Sequence, residues 1–414
     1  MERKKFLVCG ACFAGNMGGS AMYESFLAQV EADYETMFLL KYPKDEIDIC
    51  KRNKYNFQKF TTIEMLVLGV PFFLLGSICK KLHLPHRWLA VGTLKQYYNN
   101  DVLVDLSGIA FSDYRGFIDL LINTLWFLPA FVSGIPIIKL SQSLGPYEKR
   151  SVNFLGRYVL KRIHIVIARG NNSYGVTKRL LPGKKHIFNL PDVAMGLPIV
   201  SEEEHKNILE SVHLKGKKYI AVSPSIVVDG LAGSQFYRDI MKKIVQQIYS
   251  MTKLPVLFVP HTRNCTSAVG VNNGGDDAVV CADIIASLKE SEIPVEILLG
   301  EYNAKELKSA IAGAEFMIGS RYHSLIAAMS SGVPSIALGW GHKYYEMFEL
   351  FGMEKYVFEY HEFNEDIILK KVKELTENYV QLRKQIENRL PDIKRESEKN
   401  IKLAVKLIQN RRSK

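Results

Sequence analysis

Residues 316–338 read FMIGSRYHSLIAAMSSGVPSIAL. An apolar run over residues 316–318 stops at Gly319, and Ser320 stands where a helix cap belongs. Leu325, Ile326, Ala328 and Met329 then carry an apolar helical stretch, Gly332 ends it, and Pro334 opens a second apolar run over residues 335–338. This punctuation predicts strand, capped helix, glycine stop and strand. Arg321 and His323 fall in the first helical turn, where free N–H groups and the helix dipole attract an anion. A histidine there titrates near neutrality and can deliver a proton; a plain capping or core histidine is the competing reading.

The same alternation extends to both sides. Residues 219–222, 256–259 and 295–299 read as further strands of the second half, and residues 6–12, 102–106, 135–140 and 163–168 as strands of the first, with a helix over 21–30. Short β-branched runs separated by helical stretches point to βα units around parallel sheets. Between the two series the pattern loosens after Pro191-Asp192 into Gly196, Pro198 and the acidic run Glu202-Glu203-Glu204. At 414 residues the chain also exceeds what one core usually organises. The expected architecture is therefore α/β: a domain over residues 1–198, a second over 199–362, both Rossmann-like and facing a cleft, and C-terminal helices over 363–414. Ligands in such folds bind beyond the carboxyl ends of strands and between domains.

Composition narrows the partners. A formal net charge of +11 favours anions. The basic residues are scattered in pairs such as Lys149-Arg150 and Lys178-Arg179, which argues against a nucleic-acid-tracking surface. The six cysteines lie far apart except for Cys9 and Cys12 in Cys-Gly-Ala-Cys. That pair lacks a second pair at zinc spacing and lies in a strand-like run, so a buried structural role with reduced cytoplasmic thiols fits. The apolar start is broken by Gly10, Gly15 and Gly18 too early for a signal peptide. Residues 65–79, with Pro71 near the middle, fall short of a bilayer span and suit a buried helix pair or an interfacial patch; peripheral contact at the inner membrane surface stays open.

Five more loops follow predicted strands. Gly15-Asn16-Met17-Gly18-Gly19 precedes a helix and can present backbone N–H groups to an anion, although neither the dinucleotide fingerprint nor a Walker lysine is present. Asp105-Leu-Ser107-Gly108 and Ser141-Gln142-Ser143-Leu-Gly145 offer hydroxyls and amides to a sugar, or are turns. Arg169, at a strand end, can clamp a carboxylate or phosphate, or can form a surface ion pair. His261 and Arg263, followed by Asp276 and Asp277, suit acceptor hydroxyls better than a metal, since further histidines at ligand spacing are missing.

Taken together, these loops resemble the polysaccharide pyruvyl transferase family. The resemblance runs through Gly-Asn-Met-Gly-Gly, Ser-Gln-Ser-Leu-Gly-Pro, Ala-Arg at 168–169, Pro-Asp-Val-Ala, Val-Ser-Pro-Ser at 222–225, Pro-His with the paired Asp, and Ser-Arg-Tyr-His-Ser through Gly-Val-Pro. It implies a fold like the GT-B glycosyltransferases, phosphoenolpyruvate as donor, a glycan or lipid-linked sugar as acceptor, and no cofactor or metal. It also implies that His323 is the essential histidine and that Arg169 and Lys343 belong to the active site, with Arg321 in the same motif. On this reading Arg321, Arg169, Lys343, Gly15, Asn16 and Gly18 hold the donor, while Ser143, His261, Arg263, Asp276 and Asp277 line the acceptor side. Two departures stand out: Gly170 replaces an acidic residue, and Trp340-Gly341-His342 differs from the usual residues before the lysine. A nucleotide-sugar glycosyltransferase of the same fold, or a non-catalytic binder of an anionic ligand, are the alternatives.

Overall fold

The computed structural model describes residues 3–15, 17–263 and 275–410. Asn16 and Cys265 lie outside the described residues. The first sheet contains β1 (Lys5–Cys9), β2 (Glu35–Leu40), β3 (Phe57–Lys59), β4 (Val102–Asp105), β5 (Ile137–Gln142), β6 (Ile165–Ala168) and β7 (Ile187–Asn189), in the order β3-β2-β1-β4-β5-β6-β7. The second contains β8 (Ile220–Ser223), β9 (Val256–Phe258), β10 (Val295–Ile297), β11 (Met317–Gly319), β12 (Ser335–Gly339) and β13 (Val357–Glu359), in the order β10-β9-β8-β11-β12-β13. All pairings are parallel. Both faces of such sheets are covered by helices, which is why β4, β5 and β8 are buried along their whole length.

Strand order reverses between β1 and β4 in one sheet and between β8 and β11 in the other. Crevices open beyond the strand ends at such points. The helices Met17–Val30 and Tyr322–Met329, which follow β1 and β11, pack against one another. The two switch points thus face each other. One core cluster runs without a break from Phe6 and Val8 through Val193 and Met195 to Ile220 and Ile318, so the halves share buried apolar surface.

The C-terminal segment is one helix of 45 residues, Glu365–Gln409, rather than several. The Asn364 side chain accepts from Ile367 N at its start. Up to Pro391 the helix serves the second half: Arg383 donates to Ala314 O at 2.8 Å and Gln385 to Phe351 O at 2.9 Å. Beyond it the helix serves the first half, with Ser397 donating to Asp192 O at 2.7 Å and Asn400 accepting from Ser141 N at 3.1 Å.

Several expectations need correction. β1 ends at Cys9, not at residue 12, because Gly10 turns the chain at a φ of 88°. Four strands, β2, β3, β7 and β13, lie outside the expected set. Arg321, not Ser320, is the N-cap of Tyr322–Met329; Ser320 is instead hydrogen-bonded to the Tyr237 hydroxyl at 2.6 Å. The idea of a buried helix pair over residues 65–79 fails. The chain forms one continuous helical run, Thr62–Lys81, and only 22% of its most apolar 18-residue stretch is buried. Pro71 does not break it because it falls in the first turn of the α-helical part, Val70–Lys81, just after a π turn over Met65–Gly69.

Candidate active-site cleft

His323 follows β11 and points toward the first half of the molecule. Gly18, in the first turn of the helix after β1, lies so close to its imidazole that a Cβ there would collide with Nδ1. Only glycine lets these two helix starts approach. The His323 Nε2 is buried without a hydrogen-bond partner and sits 3.7 Å from Asp192 Oδ2. Burial pushes the imidazole down to about 4; Asp192 opposes this, while Arg169 and Lys343 reinforce it. Burial therefore favours the neutral form of His323 at pH 7.

Arg169 lies beside Asp192. Its Nη1 pairs with Asp192 Oδ2, and Nε and Nη2 donate to Ser143 Oγ at 3.2 and 3.0 Å. The guanidinium stacks over the Tyr322 ring at 4.4 Å. Asp192 is held in turn by Ala194 N at 2.8 Å and, through its carbonyl, by Ser397. Lys343, at the start of the helix after β12, places Nζ over the rings of Trp340 at 3.9 Å and Tyr322 at 5.2 Å. Among the described residues its ammonium forms no ion pair. Burial and then Arg169 and Arg321 lower its pKa well below the usual lysine value. Trp340, one of the two departures, thus forms the aromatic shelf on which Lys343 rests.

The other expected residues divide. Arg321 and Asp277 face each other: Arg321 Nε and Nη2 donate to Asp277 at 2.8 and 2.6 Å, and Asp277 also accepts from Ile226 N and Thr262 N. The pairing spends two of the five Arg321 N–H groups and fills the Asp277 carboxylate. Asp276 caps the helix Asp277–Ser287 through Ala278 N and lies 3.4 Å from Arg263. His261 is buried near His323 and Arg321 and is pushed down to about 3, chiefly by burial. The backbone of this loop meets the glycine-rich loop, since Arg263 N donates to Gly15 O at 2.9 Å and Met17 N to His261 O at 3.4 Å. His323, Arg169, Lys343, Ser143, Gly18 and His261 thus converge, whereas Arg321, Asp276 and Asp277 form the frame behind them. Among the described residues no group of three potential ligands is placed to hold a metal.

Three contributors were not singled out by the sequence. Asp192 stood only as part of Pro-Asp-Val-Ala. Tyr322 is the platform for Arg169 and Lys343. Glu346, one turn after Lys343, reaches across to the first half, where its Oε1 accepts from Asn172 N at 2.5 Å. Its Oε2 is buried without a hydrogen-bond partner, 3.6 Å from His342 Nε2, and burial raises its carboxyl to about 7. Arg169, Asp192, Tyr322 and Glu346 together line a cavity of about 280 Å³. The acidic residue that the resemblance places after Arg169 is missing, and the Glu346 carboxylate lies against Gly170 instead. Gly170 has a φ of 104° and no room for a Cβ beside that carboxylate. Gly170→Ala is expected to cost about 2 kcal/mol through backbone strain and displacement of Glu346. A urea melt checks this; an unchanged midpoint would mean that the contact is dispensable.

Comparison with known proteins places this geometry. The family model described as polysaccharide pyruvyl transferase matches residues 16–342. Amylovoran biosynthesis protein AmsJ of Erwinia amylovora is 22% identical over 305 residues, covering 71% of this chain and 69% of that protein. Among solved structures, Anabaena Alr3699/HepE in complex with UDP and glucose aligns over 99% of this chain and 100% of its own, at a TM-score of 0.60 and 10% identity. A putative UDP-N-acetylglucosamine 2-epimerase from Listeria monocytogenes aligns over 100% and 98%, at 0.62 and 12%. These two likenesses are to the fold, which is the GT-B arrangement of two parallel sheets with a C-terminal helix.

Proposed function

The chain belongs to the polysaccharide pyruvyl transferase family, and from that premise we propose that it moves the enolpyruvyl group of phosphoenolpyruvate onto two hydroxyls of a glycan or lipid-linked sugar, forming a pyruvate ketal. The coarser statement, a transferase in polysaccharide biosynthesis, follows from the family itself. What most supports the donor is Lys343, a buried amine with no ion-pair partner among the described residues, next to Arg169 and to a His323 whose Nε2 is buried without a hydrogen-bond partner. A small acid carrying both a carboxylate and a phosphate supplies negative charge to Arg169 and Lys343.

In the proposed reaction His323 gives a proton to the methylene carbon, which becomes the methyl group, and the cationic carbon takes the first acceptor oxygen. Phosphate then leaves with its bridging oxygen, and the second hydroxyl oxygen closes the ketal. Of the two hydroxyl protons released, one restores His323 and the other leaves with phosphate or water. Arg169 and Lys343 hold carboxylate and phosphate as charge moves.

A neutral His323 makes a specific demand. The donor must load the proton by offsetting Arg169 and Lys343, so its binding raises the imidazole pKa and takes up a proton. Donor affinity then strengthens as pH falls through the window between the bound pKa and about 4. The donor phosphate titrates near ~6 as well, so the comparison is with His323→Gln. Titration calorimetry from pH 8 to pH 6 is expected to show a steeper gain for the natural protein; identical slopes would reject donor-driven protonation. Thermal-shift screening separates donors: phosphoenolpyruvate should raise the melting temperature, whereas stabilisation by UDP alone would favour a nucleotide-sugar glycosyltransferase.

A further inference from the structure

We propose that the outer face of the helical run Thr62–Lys81 docks on an anionic lipid bilayer and lies in its interface. The inner face is narrow: Met65, Gly69, Phe72 and Gly76 are buried. Gly76 brings the backbone against Val132 of the helix Leu128–Ser133, where a Cβ would lie 2.5 Å from Val132 Cγ1. The outer face carries Ile63, Leu66, Val67, Leu74, Leu75 and Ile78, each more than half exposed. Their spacing follows the helical repeat, so they form one stripe along a rod of about 30 Å. A surface helix in water carries polar residues at such positions, and a patch of this kind marks an interaction site.

Charge identifies the occupant. Between Phe60 and Asn100 the chain has four Lys or Arg residues, Lys80, Lys81, Arg87 and Lys95, and one carboxylate, Glu64. Glu64 is folded back onto Thr61 in a capping box. Lys81, Arg87 and Lys95 are exposed and follow the stripe in sequence, together with Trp88, which is 72% exposed, while Lys80 is turned to the Phe131 and Val132 carbonyls. Apolar residues beside lysines, arginines and a tryptophan are the signature of a helix bound to anionic lipid.

The helix is long enough to cross a bilayer, but its connections oppose crossing. The strand before it, β3, and the strand that follows, β4, belong to the same sheet. Lys80 Nζ also donates to Phe131 O at 3.0 Å at the end of Leu128–Ser133. Crossing would strip both contacts, whereas lying flat keeps them. This inference rests on the surface alone and not on the identity of the donor.

The test is flotation of the full chain with vesicles of phosphatidylcholine, alone or with 30 mol% phosphatidylglycerol. Binding to the anionic vesicles is expected at low salt, falling at least tenfold at 0.5 M salt. Leu74→Glu/Leu75→Glu should lower it at least tenfold at an unchanged melting temperature, since both side chains are exposed. Four results overturn the proposal: no binding to anionic vesicles, equal binding to neutral ones, binding unaffected by the double variant, or retention in the vesicles after alkaline carbonate, which would mean insertion across the bilayer. If light scattering instead shows a dimer that the variant disperses and vesicles stay bare, the stripe is a subunit interface. Because the assay needs no substrate, its failure leaves the proposed transfer reaction untouched.

Discussion

Replacing His323 by Gln is expected to lower kcat by about 10²- to 10⁴-fold, the usual range for removing a general acid, while phosphoenolpyruvate binding stays within a few-fold. Gln keeps the approximate volume against Gly18 and a polar end toward Asp192, so the helix start should hold its position. Single-turnover measurement of pyruvyl transfer, paired with calorimetric titration of the donor, separates the two parameters. Turnover at the natural rate would remove His323 from the reaction. Loss of binding alone would make it a donor contact, and no turnover in the natural protein under any acceptor would leave the non-catalytic reading standing.

The second large effect is on stability. Arg169→Leu strands the carboxylate of Asp192, whose side chain is fully buried. Removing one member of a buried pair typically costs about 3–5 kcal/mol because the remaining charge has no solvent. Adding Asp192→Asn should restore much of that, since Asn keeps an oxygen for Ala194 N and carries no charge. Urea unfolding of the natural protein, both single variants and the pair tests this. If Arg169→Leu is no less stable than the double variant, the ion pair does not hold this corner of the cleft together. Donor binding should be lost in both, because the guanidinium is absent from each.

The alternation of buried aliphatic runs made the parallel sheets legible: five of the six strands in the second sheet, β8 to β12, coincide with sequence-predicted runs to within two residues at each end. The strands that escaped include the sheet edges β3, β7 and β13, whose segments Phe-Gln-Lys, Ile-Phe-Asn and Val-Phe-Glu are interrupted or ended by polar residues and only partly buried. At the site, His323 and Arg169 could be marked because an ionisable residue beside a strand end is a local signal, whereas Lys343 was marked only by the family resemblance. Their partners were not legible. Arg321 shares a motif with His323, yet its guanidinium turns to Asp277. Local sequence shows which groups can ionise but not which distant group will neutralise them. Glu346 escaped for the same reason, since only the folded chain brings its carboxylate against Gly170.

Pro391 has no N–H to return to the Glu387 carbonyl, so the rod formed by Glu365–Gln409 loses one rung of its ladder. That rung falls where the rod changes hosts, after Gln385 has bound one half and before Ser397 binds the other. Bending costs least at a missing rung. Any swing of the two lobes about one another therefore has its pivot there, and because Ser397 grips the backbone carbonyl of Asp192 on the same side of that pivot, Asp192 and its partner Arg169 travel with the far end of the rod while His323 is carried by the other lobe.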